Sequence, residues 1–164
     1  NFITPVSDWM FLLGHFLTNF FILIVQLIVV FIVASIFFKD ALVDVLLNVG
    51  ISLVLIISVF VLIGMIIGYL FRSEETSILA TICVASIFLF FSSTILPLET
   101  LPESLKQIAD YNPFVLSESI LKKIMLFKTD LIGISQSLYI LIGYLILLSV
   151  VVYLAQKYSK IKVQ

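Results

Sequence analysis

Long apolar runs broken by short polar stretches set the pattern of this chain. No Asp, Glu, Lys or Arg occurs over residues 9–38, 45–71, 76–98 or 131–156. About 20 predominantly apolar residues carry a helix across the hydrocarbon of a bilayer. A charge at the centre of such a helix costs roughly 2.5–3.5 kcal/mol. The pattern therefore predicts four transmembrane helices, at about 11–38, 49–71, 76–96 and 131–155. An even number of crossings puts both ends of the chain on one side.

Between the third and fourth spans the pattern changes. Residues 99–130 carry nine charges and cannot cross. Thr100-Leu101-Pro102-Glu103 reads as a capping box with proline in the first helical turn. Leu101, Leu105, Ile108 and Ala109 then fall on one helical stripe. Asn112-Pro113 stops that helix and starts another, with Asn112 as N-cap and Pro113 at the first helical position. In the second helix Leu116, Ile120, Ile124 and Phe127 share a face, and Glu118 and Lys122 form an i,i+4 pair. Such a helix is expected to lie on the membrane surface or dip shallowly into it. Pro97 is expected to end the third span. The fold class is thus all-α: a polytopic membrane protein, one transmembrane domain over 1–164, with an amphipathic helix pair in the region 97–130.

Composition agrees with a bilayer protein. The chain is 62% hydrophobic and 12% charged, against about half and about a quarter for soluble domains. A net charge of −1 gives no basic stripe for nucleic acid. A single cysteine excludes an internal disulfide. The start at Asn1 shows no signal-peptide pattern and reads as the continuation of a longer polypeptide. Charge alone does not orient the chain. With both ends inside, four cationic residues (Arg72, Lys157, Lys160, Lys162) face in and five lysines face out.

The polar residues within the spans offer several chemistries. His15, Asn19 and Gln26 share one helix face, as a polar lining for a substrate path or as interhelical hydrogen-bond donors. Gly64 and Gly68 form GxxxG, which suits close helix packing within one subunit. Arg72-Ser73-Glu74-Glu75-Thr76 is a tight charged turn, either solvated or a partner contact. The order of charges there does not fit the EExxxR pattern of an intramembrane protease. Hydroxyls such as Thr81 and Ser86 can return their bonds to the preceding turn, so they do not by themselves mark a pore.

Catalysis finds little support. His15 and Cys83 are the only histidine and cysteine, no carboxylate lies at their depth to orient the imidazole, and no four-ligand metal set exists. No glycine-rich phosphate loop is present. No carboxylate sits in mid-span for a proton relay.

Several short motifs together resemble the ABC-2 type permeases, the membrane subunits of ATP-binding cassette exporters. Thr4-Pro5-Val6-Ser7-Asp8-Trp9, with Gly14 following, is similar to the junction between that family's first coupling helix and third membrane helix. Arg72-Ser73-Glu74-Glu75 resembles its short cytoplasmic turn between helices four and five. Leu96-Pro97-Leu98-Glu99-Thr100-Leu101-Pro102 and Tyr111-Asn112-Pro113-Phe114 resemble its "PLE-x-LP … NP" signature. The likeness runs in order along essentially the whole chain and corresponds to about four of the family's six helices. The family's first two membrane helices and most of its coupling helix have no counterpart. A cation is frequent where His15 stands, which weakens the likeness at that contact.

The resemblance implies a transport subunit without a catalytic site of its own. It would move a drug, lipid or polysaccharide-like substrate using ATP hydrolysed, with magnesium, in a partner ATPase subunit. No cofactor would be bound by this chain. A second permease subunit, identical or not, would complete the pore in a prokaryotic plasma membrane, with both ends cytoplasmic. Asp8, Arg72, Glu74 and Glu75 would couple to the ATPase. Pro97, Glu99, Pro102, Asn112 and Pro113 would belong to an extracellular re-entrant gate. A secondary transporter or channel subunit not driven by ATP is the alternative, favoured by the polar face of His15, Asn19 and Gln26.

Overall fold

Six helices make up the computed structural model, which describes residues 7–37, 44–71, 73–92 and 102–161. Of Asp8, Ser104, Leu105, Ile108, Lys160 and Ile161 only the backbone is described. In chain order the helices are α1 (Asp8–Phe37), α2 (Leu46–Leu70), α3 (Glu74–Phe90), α4 (Glu103–Asp110), α5 (Pro113–Phe127) and α6 (Ser135–Ile161). The described residues contain no strand. Trp9–Phe37, Leu46–Leu70 and Ser135–Ser159 are each long and apolar enough to cross a bilayer.

The third expected span departs from this. Its helix has 17 residues and ends at Phe90 rather than Leu96, so it is about 26 Å long where the hydrocarbon needs about 30 Å. Part of its ending is local. Ser92, fully buried, sends both its amide and its hydroxyl back to the Leu89 carbonyl, at 3.0 and 2.7 Å. Pro97, expected to end this span, lies outside the described residues. The fourth span is also shifted, starting at Ser135 because residues 131–134 turn, with Gly133 and Ser135 amides bonded to Asp130 and Ile132 carbonyls.

α2 is the axis of the bundle, packed most extensively along α6 and also against α1, α3 and α5. Two apolar clusters mark its two ends. One joins Val45 and Val49 to Ile124 of α5 and Ile134 at the start of α6. The other joins Leu12 of α1, Met65 of α2 and Val152 of α6. Trp9 stacks on Tyr153, ring centroids 5.3 Å apart, at this second end. The start of α1, the end of α2 and the end of α6 therefore share one face of the bundle. The start of α2 and the end of α5 share the other.

α5 packs against α2. Leu116, Ile120 and Ile124 are buried against Val49, Ile56 and Val59 of α2, whereas Phe127 is 75% exposed. The apolar face anticipated for a surface helix is instead packed edge-on into the bundle, because α2 offers it a protein partner along most of its length. The helix closes through Lys128 in the left-handed region (φ 49°), with the Thr129 amide on the Lys123 carbonyl.

Lys128 Nζ then meets Asp44 Oδ2 at 2.7 Å, tying the end of α5 to the start of α2. This hydrogen bond, and secondarily the ammonium charge, hold the Asp44 carboxyl below its ordinary value of 3.8. A lowered folded pKa contributes stability that is present above the unfolded value and lost as pH falls through the folded one. Asp44→Asn is therefore expected to lower the unfolding midpoint slightly at pH 7. The deficit should shrink with added salt and vanish at acid pH below the Asp44 titration, as thermal melts of both forms would show.

Candidate functional site

Inside a bilayer every backbone N–H and C=O needs a partner, so helix ends at membrane depth demand explicit capping. Three helix ends meet in this bundle at about half its height. Phe60 of α2 lies there, roughly 21 Å from Leu46 and roughly 15 Å from Leu70 at 1.5 Å per residue. Its ring contacts Phe88 near the end of α3 and Phe114 at the start of α5, both with centroids 6.5 Å away.

One side chain serves two of these ends. Asn112 Oδ1 accepts from the Phe114 amide at 2.9 Å, capping α5, and Pro113 takes the first helical position, where it has no N–H to satisfy. Asn112 Nδ2 donates to the Phe88 carbonyl at 3.1 Å, one of the acceptors left open where α3 stops. An amide N–H on one side and a carbonyl on the other fix which way the Asn112 amide points. The third end, that of α4, is held by the Asn112 backbone N–H on the Ala109 carbonyl at 2.9 Å and by the Tyr144 hydroxyl on the Tyr111 carbonyl at 2.6 Å. Asn112 and Tyr144 thus pin a sharp elbow between α4 and α5 to both α3 and α6.

The elbow borders a cavity of about 330 Å³ lined by Phe88, Phe91, Tyr111, Asn112 and Tyr144. Its polar bonds join separate helices, so moving α3 or α6 must break or carry them. That arrangement suits a mechanical part rather than a catalyst. Among the described residues no three or more His, Cys, Asp or Glu are grouped to hold a metal ion.

The other gate residues of the sequence divide. Pro102 immediately precedes α4 and its carbonyl accepts from Lys106 at 3.0 Å, so it sits at the cap and not within the first turn. Pro97 and Glu99 lie outside the described residues, as does Thr100 of the expected capping box.

At the opposite end of the bundle stand Glu74 and Glu75, both exposed in the first turn of α3. Ser73 caps this helix, its Oγ accepting from the Thr76 amide at 3.2 Å and meeting Thr76 Oγ1 at 2.7 Å. Two carboxylates there also complement the helix dipole. The start of α1, including Asp8, lies at this same end, while Arg72 falls outside the described residues.

His15 and Asn19 line a groove of about 470 Å³ between α1 and α2, with Gly64, Gly68 and Tyr69 opposite. Gln26 is exposed on α1 and is not part of that lining. Asn19 does not reach another helix: its Nδ2 donates to the His15 carbonyl at 2.8 Å, within α1. The His15 ring packs against Phe11 and Tyr69. Thr81 and Ser86 return their hydroxyls to the preceding turn, at 2.8 and 2.7 Å. Among the described residues nothing packs closely at GxxxG, since a Cβ added at Gly64 or Gly68 meets no atom within 4 Å.

Sequence reasoning placed Asn112 and Pro113 at the cap and first turn of α5 but singled out neither Tyr144 nor Tyr69. A tyrosine deep in an apolar run is itself a signal, because its hydroxyl must find an acceptor in lipid or protein. Which acceptor it finds depends on a residue 33 positions away.

The family model described as "ABC-2 family transporter protein" matches residues 1–154. No curated protein and no solved structure matches.

Proposed function

We infer, from the premise that this chain belongs to the ABC-2 transporter family, that it is the membrane subunit of an ATP-driven exporter. The family is a membrane transport component. The finer reading is that a separate ATPase subunit hydrolyses ATP, with magnesium, at the end of the bundle bearing Glu74 and Glu75. A second permease subunit pairs with this one, and both ends of the chain face the cytoplasm of a prokaryotic cell. The elbow at Asn112-Pro113, at half height, then belongs to the gate on the path to the far exit. One observation supports this division of labour above the rest: the acidic, exposed first turn and the Phe88 carbonyl to which the elbow is pinned belong to one helix, α3. A push at Glu74–Glu75 reaches the Phe88 carbonyl through a single rigid rod.

Alanine at both Glu74 and Glu75 is expected to abolish ATP-dependent export while membrane levels of the protein stay within about twofold. Each side chain is exposed, and losing a dipole-complementing carboxylate costs only about 0.3–1 kcal/mol. Export assayed in vesicles with and without the ATPase subunit checks this. Export that persists without the ATPase would overturn the reading.

A further inference from the structure

The Tyr69 hydroxyl is buried and has no hydrogen-bond partner among the described residues. It stands one residue before the end of α2, at the bundle end that carries Glu74, and its ring lies 6.5 Å from that of His15. Beyond it the groove runs along Gly64 and Gly68 to Phe60, about 14 Å further at 1.5 Å per residue. Its size of about 470 Å³ falls within the roughly 300–1,000 Å³ of small-molecule sites. The walls away from His15, Asn19 and Tyr69 are apolar, and Ile22 on the rim is 51% exposed, open toward lipid. The two glycines leave the floor vacant where side chains would fill it.

We propose that this groove binds an uncharged amphiphile, its hydrogen-bonding head at Tyr69 and His15 and its apolar chain laid along Gly68 and Gly64 toward Phe60. Among the described residues no Lys, Arg, Asp or Glu lines the groove, so an ionic head group finds no counter-charge among them. A hydroxyl or ester head supplies the acceptor that Tyr69 lacks. An amphiphile also fits the placement: head at interfacial depth, chain toward the bilayer middle, entry sideways from the membrane. The inference rests on the transporter reading for its meaning, as the substrate class admitted from this side. Its test reads binding alone, so failure here leaves the transporter assignment standing.

The full-length protein in membrane vesicles is photolabelled with a diazirine-bearing monoacylglycerol, and labelled peptides are mapped by mass spectrometry. Label is expected in the α1 segment around His15–Leu23 and the α2 segment around Phe60–Tyr69. Gly64→Leu, which fills the floor, should lower it at least about tenfold, and Tyr69→Phe by roughly two- to tenfold, the loss of one hydrogen bond. Gly143→Leu, on the open face of α6, should leave it unchanged. A diazirine lysophosphatidic acid should label the same segments more weakly. Label spread evenly over the apolar helices, indifference to Gly64→Leu, or equal labelling by the anionic probe would overturn the proposal. So would near-complete disulfide formation between two copies carrying Gly68→Cys with Cys83→Ser, which would show a neighbouring helix in the groove.

Discussion

Asn112→Ala is expected to destabilise the bundle by about 2–4 kcal/mol and to abolish transport. The cap on α5 accounts for about 1 kcal/mol. The Phe88 carbonyl, half-buried and left without a donor at membrane depth, accounts for about 1–3 kcal/mol more. Asn112→Asp separates the two roles. It keeps an acceptor for the Phe114 amide but loses the donor and sets a carboxylate against a carbonyl, so it should be at least as damaging as alanine. Tyr144→Phe removes a single bond and should cost about 0.5–1.5 kcal/mol. Thermal unfolding in detergent, with transport measured in parallel, checks all three. An Asn112→Ala protein within 0.5 kcal/mol of the parent, by this same scale, would mean that the elbow is not held as described.

Ile120→Ala should cost about 2–5 kcal/mol, the usual range for truncating a fully buried branched side chain. Ile120 has no exposed surface and lies among Val59, Leu116 and Ile124. Phe127→Ala removes more atoms but from a side chain 75% exposed, and should change stability by less than about 0.5 kcal/mol. The contrast discriminates between two placements of α5. A helix lying on the membrane surface would anchor through both residues and lose similarly from either change. Equal losses would therefore contradict the packing of α5 against α2.

Much of this architecture could be read from residues alone because charge is so costly in hydrocarbon. The uncharged runs located α1, α2 and α6 to within a few residues, and Asn112-Pro113 announced its cap and first turn through backbone chemistry that needs no tertiary information. Other features could not be read in this way. Whether the face of Leu116, Ile120 and Ile124 meets lipid headgroups or α2 depends on a partner far along the chain, and an amphipathic pattern looks the same in both cases. α3 reads as a full span because residues 76–98 carry no charge. It stops at Phe90 because Ser92 and Asn112, one of them distant in sequence, satisfy the carbonyls released there. GxxxG misled for a related reason: the motif says that something can approach closely, and not what.

The central claim is that α5 starts from an elbow at half height and carries its end to the face opposite Glu74, Glu75 and the end of α6. Single cysteines at Lys123 and at Lys157, each with Cys83→Ser, read this directly through a membrane-impermeant maleimide applied to either side of sealed vesicles. Lys123→Cys and Lys157→Cys are expected to react from opposite sides. Reaction of both from the same side would contradict the re-entrant arrangement, and the gate assigned to Asn112 would fall with it.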